Sequence, residues 1–364
     1  MYFSCMFRWI FFSVLISAST CLGQTNSIVT ILGNSLNETS GLINLNGRLI
    51  TQLDSGGPAK LYEIDSTSGT ISRTVTILQA TNVDWEDLCF DDNYIYIGDI
   101  GNNAGTRTNL GIYRISRVDY FSTPNDTVTA EFISYEYADQ TDFTPAIYST
   151  NFVAEAFLSL GDSLYIFTKN WGNGNTNIYT LPKVPGNYTA NLRDSVYVGA
   201  WITGATVNPA QDTVVLIGYS IQNSFLFRMT NFGMNNFSAG STEYINVVPA
   251  ESYQTEGIAI DGNHFLLTAE EHSSGAAAVY RVKINSGLGV PSFSSDEAHV
   301  VPNPASSVLS FPEEAEAIQL FDQTGALVLE VEEASINVRD LPRGTYLVKY
   351  VLHNAQTSER IVLK

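Results

Sequence analysis

The sequence predicts an all-β chain: a five-bladed β-propeller closed by an N-terminal strand, followed by a small C-terminal β-sandwich. Three observations carry this. The 364 residues include 19 Tyr, 19 Phe and 27 Gly, a composition of strands and turns rather than helices. A unit of three apolar strands recurs five times in the middle of the chain. The last 64 residues then change character, to short strands broken by Gly and Pro. Apolar residues at 44% suffice for a large core and exclude wholesale disorder. With 18 Lys and Arg against 37 Asp and Glu, the net charge of −19 argues against a nucleic-acid or anionic-membrane partner, which would require a basic patch.

Residues 1–23 read as a secretory signal peptide. Arg8 supplies the positive start, Trp9 to Ile16 the apolar stretch, and Cys21-Leu22-Gly23 a small-x-small cleavage site before Gln24. The apolar stretch is too short to span a bilayer, and no other segment could cross one. Cleavage removes Cys5 and Cys21 and leaves Cys89 alone, so the exported protein has no intramolecular disulfide. Within Leu88-Cys89-Phe90 that cysteine reads as a small buried hydrophobe.

Residues 24–290 hold the propeller. Each unit has a polar or acidic anchor, two apolar strands and a third strand built on an aromatic. The anchors are Ser40, Glu86, Glu155, Thr203 and Glu256, and the aromatics are Tyr62, Tyr113, Tyr179, Phe227 and Tyr280. Anchor and aromatic are separated by 22, 27, 24, 24 and 24 residues. A fourth strand follows four units, at Thr74–Leu78, Ala130–Tyr135, Ser195–Val198 and Glu243–Val248. The fifth unit lacks one, and Ile28–Leu32 completes it from the other end of the chain, closing the ring without an open edge.

The first strand of each blade lines the channel, so the five anchors converge on one axis. Three carboxylates and two hydroxyls in a confined site require either raised pKa values or a cation. An oxygen-only set suits one central Ca²⁺, held by Ser40, Glu86, Glu155, Thr203 and Glu256; no His or Cys converges there to favour zinc or copper. Asp99, Asn102, Asn103, Arg107, Lys169 and Trp171 crown the same face and are candidate ligand contacts, Trp171 as a stacking platform for a sugar or base. Glu270-Glu271-His272 reads as a solvated loop.

The ring of anchors resembles that of the calcium-activated nucleotidases (apyrases), in which Ser, Glu, Glu, Ser, Glu surround a central calcium; Thr203 stands where that family has Ser. The local text is similar at Ser40-Gly41-Leu42, at Trp85-Glu86 leading to Ile95-Tyr96-Ile97-Gly98, and at Thr255-Glu256-Gly257-Ile258. This resemblance implies the propeller scaffold and the axial ion.

Residues 291–300, rich in Ser and acid, read as a linker to a sorting domain at 301–364. That tail carries Pro302-Asn303-Pro304, Asp322-Gln323-Thr324-Gly325, Gly344-Thr345-Tyr346 and a basic terminus at Lys364. In this order they resemble the type A C-terminal sorting domain of the type IX secretion system. The resemblance implies a cleavable tail handled by that machinery, and a protein secreted from, or displayed on, a Gram-negative cell.

The expected function is a calcium-stabilised binding module for a small-molecule or glycan ligand, because no nucleophile–His–acid order and no phosphate loop is present. A calcium-dependent phosphohydrolase is the alternative, and an inverting glycosidase a third reading.

Overall fold

A computed structural model describes residues 25–364 except 221–222, 234–235, 248–253, 272–274, 284–304, 312–314, 323–326, 332 and 353–354. The expected signal peptide at 1–23 and linker at 291–300 lie outside the described residues. The chain divides into two compact units, Met1–Ser286 and Gly287–Lys364.

In the first unit β1 (Thr25–Ile31) is followed by β2 (Thr39–Leu45), β3 (Arg48–Leu53), β4 (Lys60–Ile64) and β5 (Ile71–Leu78), the last four forming an antiparallel sheet in chain order. Next come β6 (Trp85–Phe90), β7 (Tyr94–Asp99), β8 (Leu110–Ser116), the short helix α1 (Arg117–Ser122), β9 (Thr127–Thr129) and β10 (Glu131–Tyr137). Then follow β11 (Ala154–Leu160), β12 (Ser163–Thr168), β13 (Asn175–Pro182) and β14 (Gly186–Tyr197), and after them β15 (Trp201–Val207), β16 (Thr213–Tyr219), β17 (Ser224–Thr230) and β18 (Ser241–Val247). Finally β19 (Thr255–Asp261), β20 (His264–Ala269) and β21 (Ala278–Lys283) form a sheet whose fourth strand is β1, antiparallel to β21 with Thr25 opposite Lys283.

The five first strands neighbour one another in a closed ring: β2 beside β6, then β11, β15, β19 and β2 again. An apolar cluster fills each of the five gaps between sheets, including Leu61 with Trp85 and Ile97, Ile112 with Phe157, Phe167 with Leu216, Ile217 with Leu267, and Leu42 with Val279. Closure by β1 gives the gap between the last and first sheets an apolar cluster of its own and pairs the last sheet's outer strand, which is how a ring of sheets avoids an exposed edge.

Two features depart from the sequence reading. The fourth strand of the third sheet begins at Gly186, well before the expected Ser195, and its early part pairs in parallel with β10, Ile133 opposite Gly186, joining two sheets into one of eight strands. Between the third and fourth strands of the second sheet lie α1, capped by the Ser116 hydroxyl accepting from Asp119 N at 3.2 Å, and β9, which extends the first sheet in parallel beside β5 and which the repeat does not contain. Both are pairings between distant segments, which local alternation does not encode.

The second unit contains β22 (Val308–Ser310), β23 (Glu316–Phe321), β24 (Leu327–Val331), β25 (Ser335–Asn337), β26 (Gly344–Leu352) and β27 (Ala355–Leu363). A four-stranded sheet ordered β24-β23-β26-β27 and the pair β22–β25 cover a core that includes Leu309, Ile318, Leu320, Val338, Val348 and Ile361.

Candidate functional site

Every first strand breaks its ladder at the predicted anchor. The register of β2 skips from Thr39 to Leu42, of β6 from Trp85 to Asp87, of β11 from Ala154 to Ala156, of β15 from Ile202 to Gly204 and of β19 from Thr255 to Ile258. Ser40, Glu86, Glu155, Thr203 and Glu256 are thus the bulged residues of five equivalent bulges. A bulge re-aims a side chain out of the alternation of its strand, and all five anchors are buried.

One step further along, the five strands carry Gly41, Asp87, Ala156, Gly204 and Gly257. Four small residues allow close approach; a Cβ on Gly41 would lie 2.7 Å from Asp87 Cα. The fifth residue fills the space. Asp87 Oδ2 accepts from Phe157 N and Ala205 N, both at 3.1 Å, and Oδ1 accepts from Leu88 N at 2.8 Å. One carboxyl therefore bridges three of the five strands. Beyond it lies a cavity of about 830 Å³, walled by Leu42, Leu88, Leu158, Ala205 and Ile258. The anchors lie on the other side of Asp87.

On the anchor side the three carboxylates have company: Asp54 and Asp84, which the sequence reading missed, and Lys169, expected as a ligand contact. Glu270 joins them, half-buried beside these acids rather than part of a solvated loop. At the end of the second strand of each sheet stand Asp54, Ile100, Lys169, Tyr219 and Glu270, each following the partner of the residue that precedes the bulge. Asp84, just before β6, adds another acid, and oxygens of Asp54, Asp84 and Glu86 lie within 4.8 Å of one another. Aligning the second strands of the repeat would have found Asp54 and Glu270, and aligning the first strands would have found Asp84, which precedes Glu86 by two residues as Glu38 precedes Ser40.

The electrostatics follow from burial. Burial, reinforced by Glu155, Asp54 and Asp84, pushes the Glu86 carboxyl well above its ordinary range. Burial first, then Asp54, raises Asp84 to about 7. Glu256 is driven up by burial and by Glu270, against the pull of Lys169. Glu270, itself raised by burial and then by Asp54, reaches about 8. Glu86 is 5% exposed and Glu256 6%, and neither carboxylate has a hydrogen-bond or ion-pair partner among the described residues.

Glu155 differs. Its Oε2 takes a bond from Lys169 Nζ at 2.5 Å, both side chains nearly fully buried. The same ammonium donates to the Tyr219 hydroxyl at 3.2 Å and lies over the rings of Trp171 and Tyr219, 4.9 and 5.1 Å from their centroids. Burial alone would discharge Lys169, but Glu155, Tyr219 and Glu256 outweigh it and hold the charge. The two hydroxyl anchors are also engaged: Ser40 Oγ donates to Glu86 O, and Thr203 Oγ1 to Thr255 O at 2.5 Å, each tying its strand to the next.

The crown residues are largely committed to the loops that carry them. Arg107 donates to Asp99 Oδ1 and to Gly101 O, both at 2.7 Å, while Asn102 accepts from Arg107 N at 2.9 Å and donates to Phe152 O at 3.1 Å. Asn103 is exposed. Trp171 is half-buried, hemmed by Trp201 and Tyr148 with ring centroids 5.0 Å away in each case, and its buried Nε1 has no acceptor. His272 of the Glu270-Glu271-His272 loop lies outside the described residues.

Gly101 abuts the acids: a Cβ there would overlap Glu86 Oε1 and Asp84 Oδ2. Gly101→Ala is therefore expected to destabilise the protein by about 1–3 kcal/mol and to abolish any shift in melting temperature caused by calcium. Thermal melts with and without calcium check this; an unchanged calcium response would show that these two carboxylates hold no ion.

Residues 299–364 match the secretion system C-terminal sorting domain family. No curated protein matches the sequence. Among solved structures, similarity is found to an exo-β-1,3-galactanase from Phanerochaete chrysosporium in complex with β-1,3-galactotriose, with TM-score 0.45, 9% identity and 94% of each chain covered. A putative exported protein from Bacteroides fragilis gives TM-score 0.36 at 10% identity over 72% of this chain and 95% of that one. A glycosyl hydrolase from Bacteroides ovatus gives 0.38 at 10% identity, covering 67% and 84%. Among the described residues no helix is long and apolar enough to cross a membrane. With its tail in the sorting-domain family and its strands closed in a ring of sheets, the protein is cargo of the type IX secretion system with a β-propeller-like body, sent to the cell surface or beyond it.

Proposed function

We propose that the protein is a calcium-stabilised binding module on a five-bladed propeller, presenting the anchor face to a small-molecule or glycan ligand. The observation that carries this is the unpartnered, buried Glu86 carboxylate beside Asp54 and Asp84. Such a charge requires protonation or a cation, and an all-oxygen set fits a hard divalent ion. The binding reading is preferred to phosphohydrolysis because Lys169 and Arg107, the basic residues beside the anchors, are already paired with Glu155 and Asp99. A triphosphate would find no free cationic grip in them.

The test is the dependence of the melting temperature on calcium and pH. Asp84 and Glu270 have raised pKa values, so in chelator their contribution to stability is present at acid pH and is lost as pH rises through about 7 and 8. Calcium at a hundredfold excess over Kd stabilises by about 3 kcal/mol, on the order of 5–10 °C. It should therefore remove most of the fall at pH 8 and do little at pH 4. Glu86→Gln should lose the calcium response. A melting temperature indifferent to calcium at pH 8 would refute this reading.

A further inference from the structure

Two places on the anchor face could take a cation, and the structure fills them differently. On the axis, Glu155 already holds the Lys169 ammonium, which is enclosed by Tyr219 and Trp171 and is further held charged by the field of Glu256. The Ser40 and Thr203 hydroxyls donate to Glu86 O and Thr255 O, which leaves their oxygens free to ligate; it is the Lys169 ammonium that takes the cation's place on the axis. Off the axis, Asp54, Asp84 and Glu86 have no basic partner among the described residues. Their closest oxygens lie within 4.8 Å of one another. Calcium binds oxygen at about 2.3–2.6 Å, so two ligands on opposite sides of one ion stand about 5 Å apart. The spacing therefore fits a single ion between the three groups. Two further features mark this place as built for a ligand. Glu86 is 95% buried by the 5% exposure it retains, with no partner, and its oxygen belongs to the trio. Gly101 brings bare backbone against Glu86 and Asp84 where any side chain would intrude, and Arg107, which could have neutralised them, is held on Asp99 and Gly101 O.

We propose that the divalent ion binds off the axis, between Asp54, Asp84 and Glu86, and that Lys169 is the chain's own cation on the axis, keeping a second ion out of the space between Glu155 and Glu256. This rests on the reading of the face as cation-stabilised. It departs from the five-residue axial set of Ser40, Glu86, Glu155, Thr203 and Glu256, of which only Glu86 remains a ligand. Water and backbone carbonyls complete the shell, as is usual for calcium. Lys169 thereby sets how many ions the face takes: while its ammonium lies against Glu155, like charge excludes a metal from the axis.

The experiment is isothermal titration of the full-length, metal-stripped protein with calcium chloride, comparing wild type with D84N, E155Q and K169M after each is shown to be folded by circular dichroism. Wild type should bind one ion per chain. D84N should weaken binding by about tenfold or more, whereas E155Q should stay within about threefold of wild type. K169M should bind a second ion, and if it fails to fold, the contrast between D84N and E155Q decides alone. Loss of calcium in E155Q with retention in D84N would place the ion on the axis and overturn the proposal, as would a folded K169M that still binds one ion. No calcium binding to wild type would instead overturn the underlying reading of the face.

Discussion

Replacing Lys169 by methionine is expected to destabilise the protein by about 3–5 kcal/mol, the loss found when one partner of a buried ion pair is removed. The pair is formed at 2.5 Å with side chains only 5% and 6% exposed. Solvent cannot replace the ammonium, and Glu155 is left charged among Glu86, Glu256 and Asp54, or protonated against its Lys-free surroundings. The double variant Glu155→Gln, Lys169→Met should recover most of the loss, because a neutral pair of similar volume no longer buries an uncompensated charge. Urea unfolding of both variants in chelator measures this. A single variant within about 0.5 kcal/mol of wild type would mean that the pair is solvated and not the axial counter-charge described above.

Asp87→Ala should cost a similar amount, about 3–5 kcal/mol, for a different reason. It leaves Phe157 N and Ala205 N, on two other strands of the ring, without their acceptor, at about 1–3 kcal/mol each, and opens a void where the strands meet. Asp87→Asn keeps one oxygen that can accept from both amides but sets its NH2 against Leu88 N, so it should lose less than Asp87→Ala by about the two inter-strand bonds and still fall below wild type. Burial pushes the Asp87 carboxyl up while three backbone N–H groups pull it down, so the neutral amide is not penalised for its missing charge. Equal losses in the two variants would show that charge, rather than the bridge between strands, is what Asp87 contributes.

The ring of sheets was legible because each sheet repeats an anchor, two apolar strands and an aromatic, and because alternation within a strand reports its burial directly. The five anchors were legible for the same reason, although the bulge that aims them is visible only in the pairing. The neighbours that decide the chemistry were not. Asp54 and Asp84 stand one step outside strands and look like ordinary turn residues, so only an alignment of the repeats at their strand ends would mark them. Asp87 sits beside Glu86 in a strand whose acids would be expected to alternate between faces, yet the bulge turns both inward. Lys169 was singled out as a ligand contact, but its partner Glu155 lies fourteen residues away across the first two strands of its own sheet, a contact set by hairpin register. Trp171 was chosen as an open platform, whereas Tyr148, on the segment before β11, packs against its edge.

The most direct test of the account is a crystal of the protein grown with calcium and soaked with terbium, measured at the terbium absorption edge. One anomalous peak is expected on the anchor face, bounded by oxygens of Asp54, Asp84 and Glu86, with Lys169 Nζ still against Glu155. A peak on the axis between Glu155 and Glu256, or no peak on this face, would contradict it.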